Sequence, residues 1–139
     1  MSSATETATR LHAAAIRLLR MVRKADAASG LSGPRLSALS VIVFNGPLSL
    51  AELAAAEQVR APTMTRLVDA LVGLGLVTRE PEPGDRRRVR IAATEAGRAL
   101  LEEGRRRRVA AIADRLGRLA ESERRALERG VDLIEQISR

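Results

Sequence analysis

A mainly α-helical fold carrying one small β-hairpin is what the sequence predicts, and three observations predict it. Apolar residues recur at alternating spacings of three and four along most of the chain, as they do in helices that bury one face. One region breaks that rhythm: "LVTRE" (76–80) and "RVRIAA" (88–93) flank a Pro/Gly/Asp-rich stretch and read as two short strands. Aromatic residues make up 1% of the 139 positions, so the core has to be built from Leu, Val, Ile and Ala, which pack readily between helices.

The elements follow in order. Leu11, Ala15, Leu18, Val22 and Ala25 form a helical stripe that ends near "ASGLSGP". A second helix, about Pro34 to Phe44, turns Leu36, Leu39, Ile42 and Val43 to one side and stops at Asn45-Gly46-Pro47. Ser49 and Glu52 make a capping box, the hydroxyl taking the Glu52 backbone N–H while the carboxylate reaches back, which starts a short third helix with Leu50, Leu53 and Ala54 inward. After a break at Val59-Arg60-Ala61, a fourth helix runs from about Pro62 to Gly73, buries Met64, Leu67, Val68, Leu71 and Leu74, and is ended by Gly75. The hairpin comes next. Thr94 is then expected to cap a long helix to about Leu119, and Ser122 to cap a last one; Val109, Ile112, Leu116, Leu119 and Leu127, Val131, Ile134, Ile137 are their stripes.

Composition bounds what such a chain does. Its length suits one domain. The net charge is +7, carried almost wholly by arginine since Lys24 is the only lysine, and this favours a polyanionic partner. Without Tyr or Trp there is no stacking platform, which argues against RNA-binding sheets and single-strand grooves. Without cysteine, disulfides, thiolate metal sites and thiol redox sensing are excluded. No apolar run approaches the ~18 residues of a membrane span. The N-terminus lacks a signal-peptide core; its Arg- and Ser/Thr-rich look is shared by transit peptides, but a helix with a structural task explains it better, so a cytoplasmic location is expected.

Catalysis has little to stand on. No Ser/His/Asp arrangement, Gly-rich phosphate loop or isolated carboxylate pair is visible, so no enzyme and no cofactor is expected. His12, the single histidine, has no clustered ligands for a metal. Arg105-Arg106-Arg107-Arg108 occupies all faces of its helix and reads as a solvated or inter-subunit salt-bridging run, with Glu102, Glu103 and Asp114 as candidate partners.

Two short helices joined by a tight turn, followed at once by a basic hairpin, make a winged helix-turn-helix. The second helix is of a size to enter a DNA major groove with its N-terminal residues at the base edges. Helical rotation away from Met64, Leu67 and Leu71 projects Pro62, Arg66, Asp69 and Gly73 outward, with Thr63 and Thr65 on the flanks. Arg66 suits guanine or phosphate and the threonines suit phosphate or a thymine methyl, while Asp69, repelled by phosphate, is expected to orient Arg66. Arg60 precedes the helix, where it cannot cap but can reach a phosphate. Arg86, Arg87 and Arg88 at the hairpin tip suit a narrow minor groove, and Asp85 suits an arginine partner that fixes the finger's shape.

From about Leu31 to Leu101 the chain resembles the MarR family of bacterial transcriptional regulators. "LSLAELA", "PTMTRLVDALVGLGLV" and above all "GDRRRVRIAATEAG" carry the likeness. Two positions depart from it: Arg60 stands where many members have a capping Ser, and Ala93 where Leu is usual. The resemblance implies an obligate homodimer with residues 1–30 and 99–139 as a helical dimerisation layer around a DNA-binding domain at 31–98. It also implies that Arg87 is the wing-tip arginine, Asp85 its structural partner, and Thr63, Thr65 and Arg66 part of the groove-reading helix.

The expected function is a regulator, a repressor, that binds a pseudo-palindromic duplex and is released by a small-molecule effector whose site the sequence does not reveal. Its alternatives are a nonspecific DNA-packaging protein and a winged-helix protein–protein adaptor that has lost DNA binding.

Overall fold

The computed structural model describes residues 2–139. Its order is α1 (Ala4–Asp26), a 3₁₀ turn (Ala27–Ser29), α2 (Gly33–Asn45), β1 (Leu48–Ser49), α3 (Leu50–Glu57), α4 (Ala61–Gly73), β2 (Val77–Glu82), β3 (Asp85–Ala93), α5 (Glu95–Leu116) and α6 (Glu121–Ile137). The chain divides into two compact units: Asp26–Arg106, and the described residues up to Ala25 together with Arg107–Arg139.

The Asp26–Arg106 unit closes a core of its own. Ala38, Leu39 and Ile42 of α2, Leu53 and Ala54 of α3, and Met64, Val68 and Leu71 of α4 meet Leu76, Val77 and Ile91 beside the sheet, all buried. Leu39, Ile42, Leu53, Ala54, Met64, Val68 and Leu71 are among the residues that helical spacing turns inward, whereas Ala38 is buried without being selected. Leu36, Val43, Leu50 and Leu67 are only partly buried, and Leu74 is exposed because it sits past the end of α4. Ser49 caps α3 as its spacing with Glu52 predicts: Oγ accepts the Glu52 N–H at 3.1 Å. The carboxylate returns to the Ser49 hydroxyl, which donates to Oε1 at 3.1 Å.

The sheet has three antiparallel strands in the order β1-β3-β2. The two-residue β1, absent from the sequence reading, pairs Leu48 with Ile91 and Ser49 with Arg90. Alternation along β3 is partial: Ile91 is buried, but Val89 lies beyond the core and is exposed. Thr94 does begin α5. Its Oγ1 accepts the Gly97 N–H at 3.1 Å and donates to Gly75 O at 2.7 Å, tying the first turn of α5 to the turn after α4. Gly97 is needed there, since a Cβ would fall 2.2 Å from Leu76 O.

In the other unit, α1 and α6 contain no fully buried residue. Leu18 is 48% exposed, and Leu127, Val131 and Ile134 line one exposed stripe of α6. α6 begins at Glu121 rather than at a Ser122 cap. The Ala120 N–H is taken by Glu123 Oε2 at 2.9 Å, so Ser122 falls inside the helix. Ion pairs Arg118–Asp114 (3.1 Å) and Arg125–Glu121 (2.7 Å) sit at helical spacing on the surface.

Candidate nucleic-acid interface

Helix α4 enters from Arg60, whose extended backbone ends the preceding turn. Its side chain makes no capping bond, and its carbonyl accepts the Met64 N–H at 3.0 Å. Pro62 occupies the first turn, where a missing N–H loses no helical bond. With Met64, Val68 and Leu71 buried, Pro62, Thr63, Arg66, Asp69 and Gly73 are left exposed, which is the face the 100° rotation selects. The helix N-terminus adds unpaired N–H groups and partial positive charge beside them. Thr65 departs from its expected role: it is half-buried, and its hydroxyl donates to Ala61 O at 2.9 Å, which leaves only acceptor capacity for a partner.

Asp69 is the clearest correction. Its Oδ1 pairs with Arg79 Nη2 on β2, so the acid ties the helix to the wing instead of orienting Arg66. Arg79 lies ten residues on, on the next strand, beyond the one-turn reach in which helical spacing places partners. The available signal was a lone acid on an otherwise basic exposed face.

The three arginines stand on β3 rather than in the turn, which is Pro83-Gly84, with Gly84 at φ 89°. Register explains their prominence. Pro81 pairs with Val89, but its neighbour Glu82 pairs with Asp85, so Arg86, Arg87 and Arg88 are extra residues with no counterpart on β2. Such a bulge lifts its residues out of the ladder, and all three arginines are exposed. Asp85 holds its base: Oδ1 accepts the Arg87 N–H at 3.0 Å, and Oδ2 lies 3.9 Å from Arg88 Nε. Behind the wing, Arg90 Nη2 donates to Pro47 O at 3.4 Å, a second brace the sequence did not suggest.

Other candidates separate from this site. Arg105 lies 3.7 Å from Glu102, and Arg106 3.6 Å from Glu103, the helical pairing expected of a solvated run, whereas Asp114 pairs with Arg118. His12 is exposed. Among the described residues no group of His, Cys, Asp or Glu could hold a metal ion, and no single helix is long and apolar enough to cross a membrane.

A capped helix, a tight turn, a second helix with an exposed polar face and a basic bulged hairpin behind it define a winged helix-turn-helix regulator. Known proteins agree. A sequence model of the MarR family matches residues 29–88. Mb0904 of Mycobacterium bovis, described as an uncharacterized HTH-type transcriptional regulator, is 37% identical over 96% of this chain and 94% of its own. The crystal structure of RV1404 from Mycobacterium tuberculosis superposes with a TM-score of 0.81 at 28% identity, covering 98% of this chain and 94% of that one. An S. aureus MepR mutant, solved bound to an oligodeoxyribonucleotide, has a TM-score of 0.75 over 96% of this chain and 98% of its own; at 16% identity that likeness is one of fold alone. This chain belongs to the MarR family. It is a DNA-binding transcriptional regulator, not an enzyme.

Proposed function

We propose that the protein is a cytoplasmic homodimeric repressor that binds a pseudo-palindromic site in duplex DNA and is released by a small-molecule effector. Residues 31–98 form the DNA-binding domain, and residues 1–30 and 99–139 form the dimerisation layer. The α4 helices enter successive major grooves roughly 34–36 Å apart, presenting Arg60, Pro62, Thr63, Thr65 and Arg66. The wings place Arg86, Arg87 and Arg88 in the flanking minor grooves, where narrow A·T-rich segments concentrate negative potential.

The observation that carries the reading is the pairing, within one compact unit, of two exposed cationic elements: Arg66 on α4 and the arginine bulge held by Asp85. Neither is packed beneath neighbours. The dimer is supported by the apolar stripe of α6, where Leu127, Val131 and Ile134 stay 40–44% exposed among the described residues. An effector acts by changing the spacing of the two lobes, since a site that needs both at once loses much affinity when only one can engage.

Arg87→Ala tests the wing. Affinity for a duplex selected by the wild-type protein from random sequence should fall, and the log–log salt slope should flatten by about 1. Unchanged affinity and slope would remove Arg87 from the interface. Failure of the wild-type protein to enrich any sequence would favour nonspecific packaging instead.

A further inference from the structure

The Asp69–Arg79 pair is unusual in its placement. A carboxylate on the outward face of a helix that approaches phosphates is repelled by them, and every other charged side chain on the exposed face of α4 and in the bulge of β3 is an arginine. Yet Asp69 faces neither Arg66 nor the bulge. It reaches Arg79, which stands directly opposite the buried Ile91 and two residues after the buried Val77 on β2. Directly opposed residues share a sheet face, and so do residues two apart. Arg79 therefore extends from the core face of the hairpin over the edge of the core to α4. Both side chains keep substantial exposure, 59% for Asp69 and 40% for Arg79. An ion pair so placed adds little to folding, so its use lies in geometry.

We infer that Asp69 and Arg79 are positioning residues that latch the wing to the recognition helix, so that Arg66 and Arg86–Arg88 arrive at the duplex in a fixed relation. The inference rests on the DNA-binding reading above and adds to it the residues that set the angle between its two elements. Arg79 is the only cation that an ion pair ties to α4 from the sheet among the described residues. Without the latch, the ties left at the hairpin's root are its core contacts, the pairing of β3 with β1, the Thr94 bond to Gly75 and the bond from Arg90 to Pro47, none of which reaches the exposed face of α4.

The sign of one substitution discriminates. For Asp69→Asn, a latch predicts weaker binding, roughly tenfold, to a duplex selected from random sequence by the wild-type protein, and loss of minor-groove protection at the flanks in a hydroxyl-radical footprint. A mere repulsive neighbour of phosphate predicts tighter binding and overturns the inference. Arg79→Gln should produce the same loss, and the double variant should be no worse than either single one. Additive losses with a salt slope flattened by a further ~1 would instead make Arg79 a phosphate contact and overturn the latch. Unchanged thermal unfolding of each variant confirms that the effect is on arrangement; a matching drop in stability would assign it to folding and overturn the inference as well. A wild-type protein that selects no duplex removes the DNA-binding reading itself, and the latch with it, so the two failures are told apart by the first measurement.

Discussion

Leu71 and Ile134 hold equivalent places in the sequence pattern, each on the apolar stripe of an amphipathic helix, but Leu71 is fully buried and Ile134 is 40% exposed. The contrast extends to their surroundings. Every fully buried apolar side chain among the described residues belongs to Asp26–Arg106, where three short helices and a sheet close around one another. The stripes of α1 and α6 are just as regular, yet none of their residues is fully buried. Periodicity reports that a face needs covering; it does not report which molecule covers it. The Asp26–Arg106 unit supplies its own cover, whereas under the proposed function a second copy covers the stripe of α6.

Three perturbations break or sharpen that contrast. The largest effect belongs to Leu71→Ala, which leaves a cavity under α4 and should cost about 2–5 kcal/mol in denaturant unfolding, by the same amount at every protein concentration. Next comes Ile134→Glu. A charge on the α6 stripe should raise the dimer dissociation constant by about 30-fold, or ~2 kcal/mol, read by sedimentation equilibrium across a dilution series. A variant that dimerises as tightly as the parent would show that this stripe is not covered by a second copy. Smallest is Ser49→Ala, which removes the α3 cap and should lower stability by about 1 kcal/mol, with DNA affinity unchanged once the folded fraction is accounted for.

Legibility tracked the range of the physics involved. Ser49 with Glu52 and Thr94 with Gly97 are bonds between residues three apart, so the starts of α3 and α5 could be read directly. The exposed face of α4 followed from rotation alone. What escaped was set by distant partners. β1 is two residues long and exists only because Leu48 meets Ile91, too short to leave an alternation of its own. Asp69 was assigned to Arg66, one turn away, when its true partner lies on the next strand. The displaced register at Pro81 and Glu82 could not be foreseen from β3, since the mismatch is a property of two strands together. The start of α6 was misplaced because Ala120 has no hydroxyl to announce the cap that Glu123 completes.

The arginine bulge is anchored at the wrist and loose in the fingers. Asp85 fixes the main chain at Arg87, while the Arg86, Arg87 and Arg88 side chains extend into solvent. Long side chains that exposed, with a single loose ion pair at Arg88, surrender most of their rotamer entropy only on contact. In the proposed complex with duplex DNA, such a grip would reward the breadth and depth of a furrow over the identity of the letters lining it.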